Sequence, residues 1–213
     1  MKILVICDDF YHHEEVIKPG LAFLQEQEGH DLTYATDMGE YSLAERPLSG
    51  YGLVIVAKDM HISKANRESW LTDDIIKQFD DYANSKGGLI FLHAGAVLCN
   101  HSQVIKNISG CSFADHPEQC PVDHCITATH PIVAGASDFT EKDEHYFIDF
   151  VATDADIFLK SRSNHGIQPA GYTRVHNGSG RVCVLTPGHN LSVFRNEQYK
   201  KIIANAVRWC AEK

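Results

Sequence analysis

Long apolar runs are absent from this sequence of 213 residues. Those at residues 3–7 and 53–57 cover about five residues each, whereas a membrane-spanning helix needs about 20. Basic residues are also few: 19 Lys and Arg face 28 Asp and Glu, and the net charge is −9. That sign does not suit a protein that neutralises phosphates. We therefore expect no membrane span and no nucleic-acid partner.

Several chemical signatures are missing as well. The seven cysteines are an odd number at scattered spacings without a C-x-x-C pair, which favours reduced thiols over a disulfide framework. No G-x-x-x-x-G-K-[ST] phosphate loop occurs, so we expect no nucleotide cofactor. A G-x-S-x-G serine elbow is absent too. The N-terminal apolar stretch is too short for an export signal, which predicts a cytoplasmic protein.

Strand and helix patterns alternate in the first half of the chain. Strands are predicted at residues 1–7, 31–36, 53–57 and 89–92, and helical apolar spacing follows at residues 14–28 and from residue 63 to residue 83. The continuous apolar character of residues 3–7, 53–57 and 89–92 is typical of parallel strands that are covered on both faces. The chain therefore opens as a β-α-β-α-β unit.

The second half is less regular. Strands are predicted at residues 125–128, 157–161, 167–174 and 181–186, with a hairpin turn at 176–180 and a closing helix. No repeat or linker divides the chain. We predict a single domain over residues 1–213, with an α/β fold built on a doubly wound, mostly parallel sheet and an antiparallel edge hairpin.

Polar side chains cluster where the predicted strands end. Ligands of an open α/β sheet bind beyond the carboxyl ends of its strands. The candidates at those ends are Asp8, Asp9, His12, His13, Lys58, Asp59, His93, Gly188 and His189.

His93 is the most informative of the 13 histidines. It lies between a strand and a predicted helix, where a nucleophile elbow would carry Ser or Cys. An imidazole at this turn suits acid–base chemistry or metal ligation, but it is a poor replacement for a thiolate in acyl transfer. The alternative is a histidine whose ring nitrogens are satisfied by the loop backbone.

The first loop, residues 8–13, combines two carboxylates with two imidazoles. This mixture suits a ligand with many hydroxyls or a divalent metal such as zinc. Neighbouring residues rarely face one ligand together, so at most one of His12 and His13 is expected to point inward. Alternatively, Asp8 or Asp9 caps the following helix and the histidines are solvated.

A charged run, residues 143–146, precedes an apolar pair. We interpret Glu144 as a partly buried carboxylate whose pKa is raised towards a value useful for proton transfer. The alternative is a solvated surface run. A zinc site built from His116, Cys120, His124 and Cys125 is a weaker hypothesis, because their spacing matches no familiar pattern.

Six segments in order resemble the trehalose-utilisation (ThuA-like) family over nearly the whole chain. They are D-D-F-Y-H-H (8–13), G-G-L-I-F-L-H (87–93), G-C-S-F-A-D-H-P (110–117), H-P (130–131), D-E-H-Y (143–146) and G-R-V-C-V-L-T-P-G-H (180–189). The resemblance implies a flavodoxin-like fold of the class I glutamine amidotransferase-like kind. It places the family's motif residues on His93, His116, His130, His189, Asp143, Glu144 and Tyr146.

The resemblance also implies a role in the use of trehalose or related disaccharides through keto-sugar intermediates. His93 stands where amidotransferases carry cysteine, which argues against glutamine hydrolysis. We therefore predict a sugar-active enzyme, a hydrolase or lyase that acts on keto-glycosides by His/Glu acid–base chemistry with metal assistance as an option. Its partner would be a small carbohydrate, and a homo-oligomer is compatible with this interpretation.

The predicted roles divide the candidates into three groups. His93 and Glu144 would be catalytic, and His12, His93 and His189 are the metal candidates. Substrate would be bound by Asp8, Asp9, His12, His13, His116, Tyr146 and His189.

Three other functions are kept as alternatives. The first is a non-catalytic sugar-binding or regulatory module on the same scaffold. The second is a glycosidase that uses Asp9 with Glu144 as a carboxylate pair. The third, an amidase that uses Cys7, Cys99 or Cys183, is weak because none of these thiols falls at the elbow.

Overall fold

The computed structural model describes residues 1–85 and 87–212. Its strands are β1 (Lys2–Cys7), β2 (Asp31–Ala35), β3 (Leu53–Ala57), β4 (Gly88–Leu92), β5 (Cys111–Asp115), β6 (Cys120–Ile126), β7 (Phe139–Asp143), β8 (Phe147–Phe150), β9 (Asp156–Ser163), β10 (Gly166–His176) and β11 (Gly180–Leu185). Its α-helices are α1 (Glu14–Leu21), α2 (Phe23–Glu26), α3 (Asp73–Asn84), α4 (Ala94–Leu98), α5 (Gln103–Ser109), α6 (Leu191–Arg195) and α7 (Glu197–Ala211).

The main sheet has the strand order β2-β1-β3-β4-β11-β10-β9-β6-β7. Its first five strands pair in parallel and form the core, which confirms the predicted α/β fold with a parallel core. The antiparallel part is larger than the predicted hairpin, because β10 also pairs with β9, and β6 and β7 extend the sheet further. Strands β5 and β8 form a small separate sheet.

Both faces of the parallel core are covered by helices. Alternate residues of a strand point to opposite faces. On β1, Ile3 and Val5 belong to the cluster that includes residues of α1 and α7, whereas Leu4 and Ile6 belong to the cluster that includes residues of α3 and α5. This double burial explains the continuous apolar runs. No helix in the described part of the chain is long and apolar enough to cross a membrane.

Two predicted helices differ in extent from the structure. The first ends at Leu21 and resumes as the short α2, and Pro19, which has no backbone N–H, lies inside α1. The second begins only at Asp73, where the Thr72 hydroxyl accepts the Ile75 N–H as a helix cap. Single-domain organisation over residues 1–213 stays a prediction.

Candidate functional site

The carboxyl ends of β1 and β3 meet at the point where strand order reverses, because β2 lies on one side of β1 and β3 on the other. Lys58 follows β3 and is fully buried there. Its ammonium donates hydrogen bonds to the carbonyls of Asp8, Thr36 and Cys7, at 2.5, 3.2 and 3.4 Å. One side chain thus ties together the ends of three strands beneath the predicted site.

Asp9 organises the loop that follows β1. Its carboxylate accepts the backbone N–H groups of Tyr11, His12 and Asp59 at 2.7–2.9 Å, and the His12 Nδ1 at 2.9 Å. Burial raises the pKa of Asp9, but these partners outweigh burial and leave the pKa at about 2. Because both Asp9 oxygens are occupied, this residue positions His12 and is not free to act as a nucleophile.

His93 occupies a strained turn between β4 and α4. Its φ of 46° and ψ of −103° lie outside the regions that L-residues ordinarily adopt. The ring Nδ1–H donates to the Thr186 carbonyl at 2.8 Å, so the Nε2 lone pair is free. Such strain costs about 1–3 kcal/mol and persists only where the surroundings hold it in place.

Asp143 joins the end of β7 to the turn after β11. It is fully buried and accepts the N–H groups of Gly188 and His189, at 2.8 and 2.9 Å. These bonds bring Glu144, the next residue, beside the His189 ring. A sequence separation of 45 residues is thereby closed by two hydrogen bonds to backbone amides.

Four side chains from distant stretches converge at this edge of the sheet, and we call them the tetrad: His12, His93, Glu144 and His189. One donor atom of each lies within 4.8 Å of the other three, close enough to share a metal ion. Glu144 Oε2 lies 3.1 Å from His189 Nδ1 and 3.3 Å from His93 Nε2. The structure therefore brings together both predicted catalytic residues and all three metal candidates.

The electrostatics of Glu144 differ from the expectation. Burial raises its pKa, but the contacts with His189 and His93 outweigh burial and hold the pKa well below its usual range. The predicted upward shift is wrong, because it considered burial without the imidazoles that face the carboxylate. Burial lowers the pKa of His93, and Glu144 raises that of His189 against the effect of burial. Glu144 is thus a carboxylate at neutral pH and not a proton donor.

A pocket of about 570 Å³ opens above the tetrad. Its lining residues are Phe10, Tyr11, His12, Asp59, Val97, Phe113, His116, Glu144, Tyr146 and His189. The Tyr146 ring stacks on His93 with centroids 4.1 Å apart, and its hydroxyl lies 3.2 Å from His12 Nε2. His116 Nε2 lies 3.8 Å from Glu144 Oε2. Aromatic faces and polar groups thus share one cavity.

Other candidates lie elsewhere. His13 is exposed, and the Asp8 carboxylate accepts the Glu14 N–H at the start of α1. His130 stacks on Phe158, outside the pocket.

The zinc hypothesis for His116, Cys120, His124 and Cys125 is not supported, since these residues form no metal-ligating group among those described. His124 instead bonds Ser161 through Nδ1 at 2.9 Å. The thiols of Cys7, Cys99 and Cys183 are buried, and burial raises their pKa, that of Cys7 to about 12. They are therefore unsuited to nucleophilic attack.

Sequence reasoning missed His61, which pairs with Asp59 beside the pocket. His61 Nδ1 lies 2.6 Å from an Asp59 carboxylate oxygen, and its ring is 6.0 Å from that of Tyr11. The position of Asp59 after β3 was a signal, but His61 lies in a loop without a recognisable pattern.

These features define an α/β protein with a polar ligand pocket at the topological switch point of its sheet. A family profile described as trehalose utilisation, ThuA, matches residues 2–210. The chain belongs to the ThuA family. A search of curated proteins finds no match.

Three solved structures illustrate how widely the fold occurs. A ThuA-like protein from Parabacteroides merdae is 18% identical with a TM-score of 0.79, covering 99% of this chain and 90% of that one. The β-galactosidase of Rahnella sp. R3 is 10% identical with a TM-score of 0.68, over 97% of this chain and 31% of that one. PurLQS of Thermotoga maritima is 14% identical with a TM-score of 0.59, over 98% of each chain. At these identities the likeness shows the fold alone.

Proposed function

We propose that this ThuA-family protein is a sugar-active enzyme that cleaves or transforms keto-glycosides. The observation that carries the proposal is the tetrad at the floor of a pocket of about 570 Å³. That volume is within the range of small-molecule sites. The aromatic rings of Phe10, Tyr11 and Phe113 offer faces for the apolar sides of a sugar, and the imidazoles and carboxylates offer partners for its hydroxyls.

The chemistry follows from the keto group. A carbonyl acidifies the neighbouring C–H, so a positioned base can remove that proton. Its electron pair then forms a carbon–carbon double bond while the bond to the glycosidic oxygen breaks. The departing oxygen takes up a proton and leaves as a free sugar. This elimination requires a base and an acid but no strong nucleophile.

His116 and Tyr146 are suited to move these protons. The His116 Nδ1–H donates to the Pro117 carbonyl at 2.9 Å, which leaves the lone pair on Nε2 at the pocket wall. The Tyr146 hydroxyl is protonated at neutral pH, since burial raises its pKa. We assign the base to His116 and the proton donor to Tyr146.

The hydrogen bonds that both Asp9 oxygens accept argue against the alternative of a two-carboxylate glycosidase. Such an enzyme needs a second carboxylate free to attack or to activate water. Asp9 instead accepts three backbone N–H groups and the His12 ring.

The test is turnover of a 3-keto-disaccharide compared with the unoxidised disaccharide. We expect a free sugar and an ultraviolet-absorbing unsaturated ketone from the keto substrate only. His116→Ala should lower kcat by about 10²–10⁴, the usual contribution of a general base. His165→Ala is the matched control, since this imidazole is exposed on the turn between β9 and β10, away from the pocket. Sugar binding without turnover, unchanged by His93→Ala and Glu144→Ala, would favour the non-catalytic module.

A further inference from the structure

We infer that the tetrad is a binding site for one divalent transition metal of the zinc type, with His12 Nε2, His93 Nε2, His189 Nδ1 and a Glu144 oxygen as ligands. The inference rests on the proposed function because the metal would be the cofactor of the enzyme proposed for the same pocket. Metal content tests it without any substrate, so the two proposals can fail separately.

The spacing of the donor atoms fits a small metal ion. Zinc binds His nitrogen and carboxylate oxygen at about 2.0–2.2 Å, so neighbouring ligands of a tetrahedral site lie about 3.3 Å apart. Glu144 Oε2 lies 3.1 Å from His189 Nδ1 and 3.3 Å from His93 Nε2. The ring centroids of the three histidines are 5.0, 5.3 and 5.5 Å apart, and the rings are steeply tilted to one another.

Partners outside the tetrad set two of the three imidazoles in the ligating tautomer. The Thr186 carbonyl can only accept a hydrogen bond, so His93 Nδ1 carries the hydrogen and Nε2 the lone pair. Asp9 acts in the same way on His12 Nδ1. A carbonyl or carboxylate behind a histidine is the usual support of a metal-binding imidazole, because it orients the ring and raises its basicity.

Two of the three inner nitrogens also lack a satisfactory partner within the protein, while His12 Nε2 contacts the Tyr146 hydroxyl. His93 Nε2 and His189 Nδ1 are buried, and neither has a hydrogen bond of acceptable geometry despite the nearby Glu144 oxygen. A lone pair on His93 Nε2 that faces a carboxylate is repelled by it. Buried polar atoms without partners need an explanation, and a cation among the four donors satisfies them together.

The burial and accessibility of the tetrad suit a reactive centre. His93 and His12 have side chains only 2% and 9% exposed, while Glu144 and His189 are 11% and 22% exposed. His12, Glu144 and His189 line the pocket, and His93 is the most deeply buried of the four. A ligand can therefore reach the metal. Donors of three nitrogens and one oxygen, without thiolate, match the preferences of zinc and its transition-metal neighbours.

A metal would also resolve a difficulty of the proposed reaction. A carboxylate and lone-pair nitrogens alone would repel a keto oxygen. A divalent cation held by them acts as a Lewis acid and polarises that oxygen. The Tyr146 hydroxyl, 3.2 Å from His12 Nε2, is placed to contact an oxygen bound there.

The experiment uses untagged protein that is dialysed against a chelator and then titrated with Zn²⁺. Bound zinc is measured by elemental analysis after gel filtration, and Co²⁺ substitution is followed by its visible spectrum. We expect one zinc per chain. The visible spectrum of the cobalt form should be typical of four- or five-coordinate Co²⁺ with nitrogen and oxygen ligands. Glu144→Gln and His93→Ala should each weaken zinc binding by at least tenfold.

Two further measurements separate a lost ligand from a lost fold. His165→Ala removes an exposed imidazole on the turn between β9 and β10, outside the tetrad, and should bind one zinc like the wild type. Zinc should raise the melting temperature of the wild type and of His165→Ala but not that of folded Glu144→Gln, whose circular dichroism should match the wild type. Absence of bound zinc in the wild type, or equal binding by folded Glu144→Gln, would overturn the inference.

The outcomes also distinguish this site from the proposed reaction. Zinc binding without turnover of any keto-disaccharide contradicts the proposed function and leaves the metal site standing. Turnover of the keto-disaccharide by a wild type that takes up no zinc in the titration contradicts the metal site and leaves the proposed function standing.

Discussion

His124 should make the stability of this protein depend strongly on pH in the acidic range. Its buried ring packs on Phe139, with centroids 4.6 Å apart, and Nδ1 bonds the Ser161 hydroxyl. Burial lowers the pKa of His124 from 6.5 to about 3. The folded state therefore binds fewer protons than the unfolded state between these values, so stability falls as the pH falls.

The magnitude follows from the size of this window. One pKa unit corresponds to about 1.4 kcal/mol of unfolding free energy. Between pH 6.5 and pH 4, about 2.5 pH units, the imidazole of His124 is protonated in the unfolded state but not in the folded state. This proton uptake should lower the free energy of unfolding by about 3 kcal/mol. His124→Phe keeps a ring in place and loses the bond to Ser161, worth about 1 kcal/mol. The variant should be less stable than wild type at pH 7 and more stable by about 2 kcal/mol at pH 4.

Urea unfolding of chelator-treated protein at both pH values is the assay. His165→Gln is the control, because this histidine is exposed on the turn between β9 and β10 and its loss should leave the pH dependence unchanged. Equal losses of stability in wild type and His124→Phe between pH 7 and pH 4 would refute the reasoning.

Two further predictions concern the support of the tetrad. Gly95→Ala would place a Cβ 2.2 Å from the Val56 carbonyl, so we expect a loss of about 1–3 kcal/mol from overpacking. Gly50→Ala, with open space around its Cβ, should change stability little, and comparable losses would contradict the packing argument. Asp143→Asn removes an acceptor from the turn after β11 and should weaken zinc binding about 10–100-fold in a competition titration. Asp149→Asn, on the exposed face of β8, should bind zinc normally, and an equal effect would indicate a general charge effect instead.

The parallel core was predictable because its strands are buried on both faces. Strands β1, β3 and β4 read as unbroken apolar runs, with β3 and β4 buried at every position. The antiparallel region was less predictable from the sequence. Strand β7 has the sequence F-T-E-K-D at the edge of the sheet, where polar side chains carry no strand signal. Strands β5 and β8 have only five and four residues, and an irregularity in β5 interrupts their pairing, so each segment is too short to predict as a strand.

The position of the candidate site followed from strand ends, but its electrostatics did not. The rule for open α/β sheets identifies His12, His93 and His189 from the sequence alone. The pKa of Glu144 depends on which rings face it, and that pairing joins residues far apart in the chain. The acceptor behind His93 is the backbone carbonyl of Thr186, which any residue type could supply, so no pattern could reveal it.

Lys58 makes the backbone near the pocket rigid. A flexible site would lose conformational entropy whenever a ligand bound, and its affinity would therefore be lower. Here an internal ammonium holds three chain segments to one point as soon as the polypeptide folds. We therefore expect the empty and loaded forms to superimpose closely around this lysine, with any movement confined to the exposed aromatic rim at Tyr11.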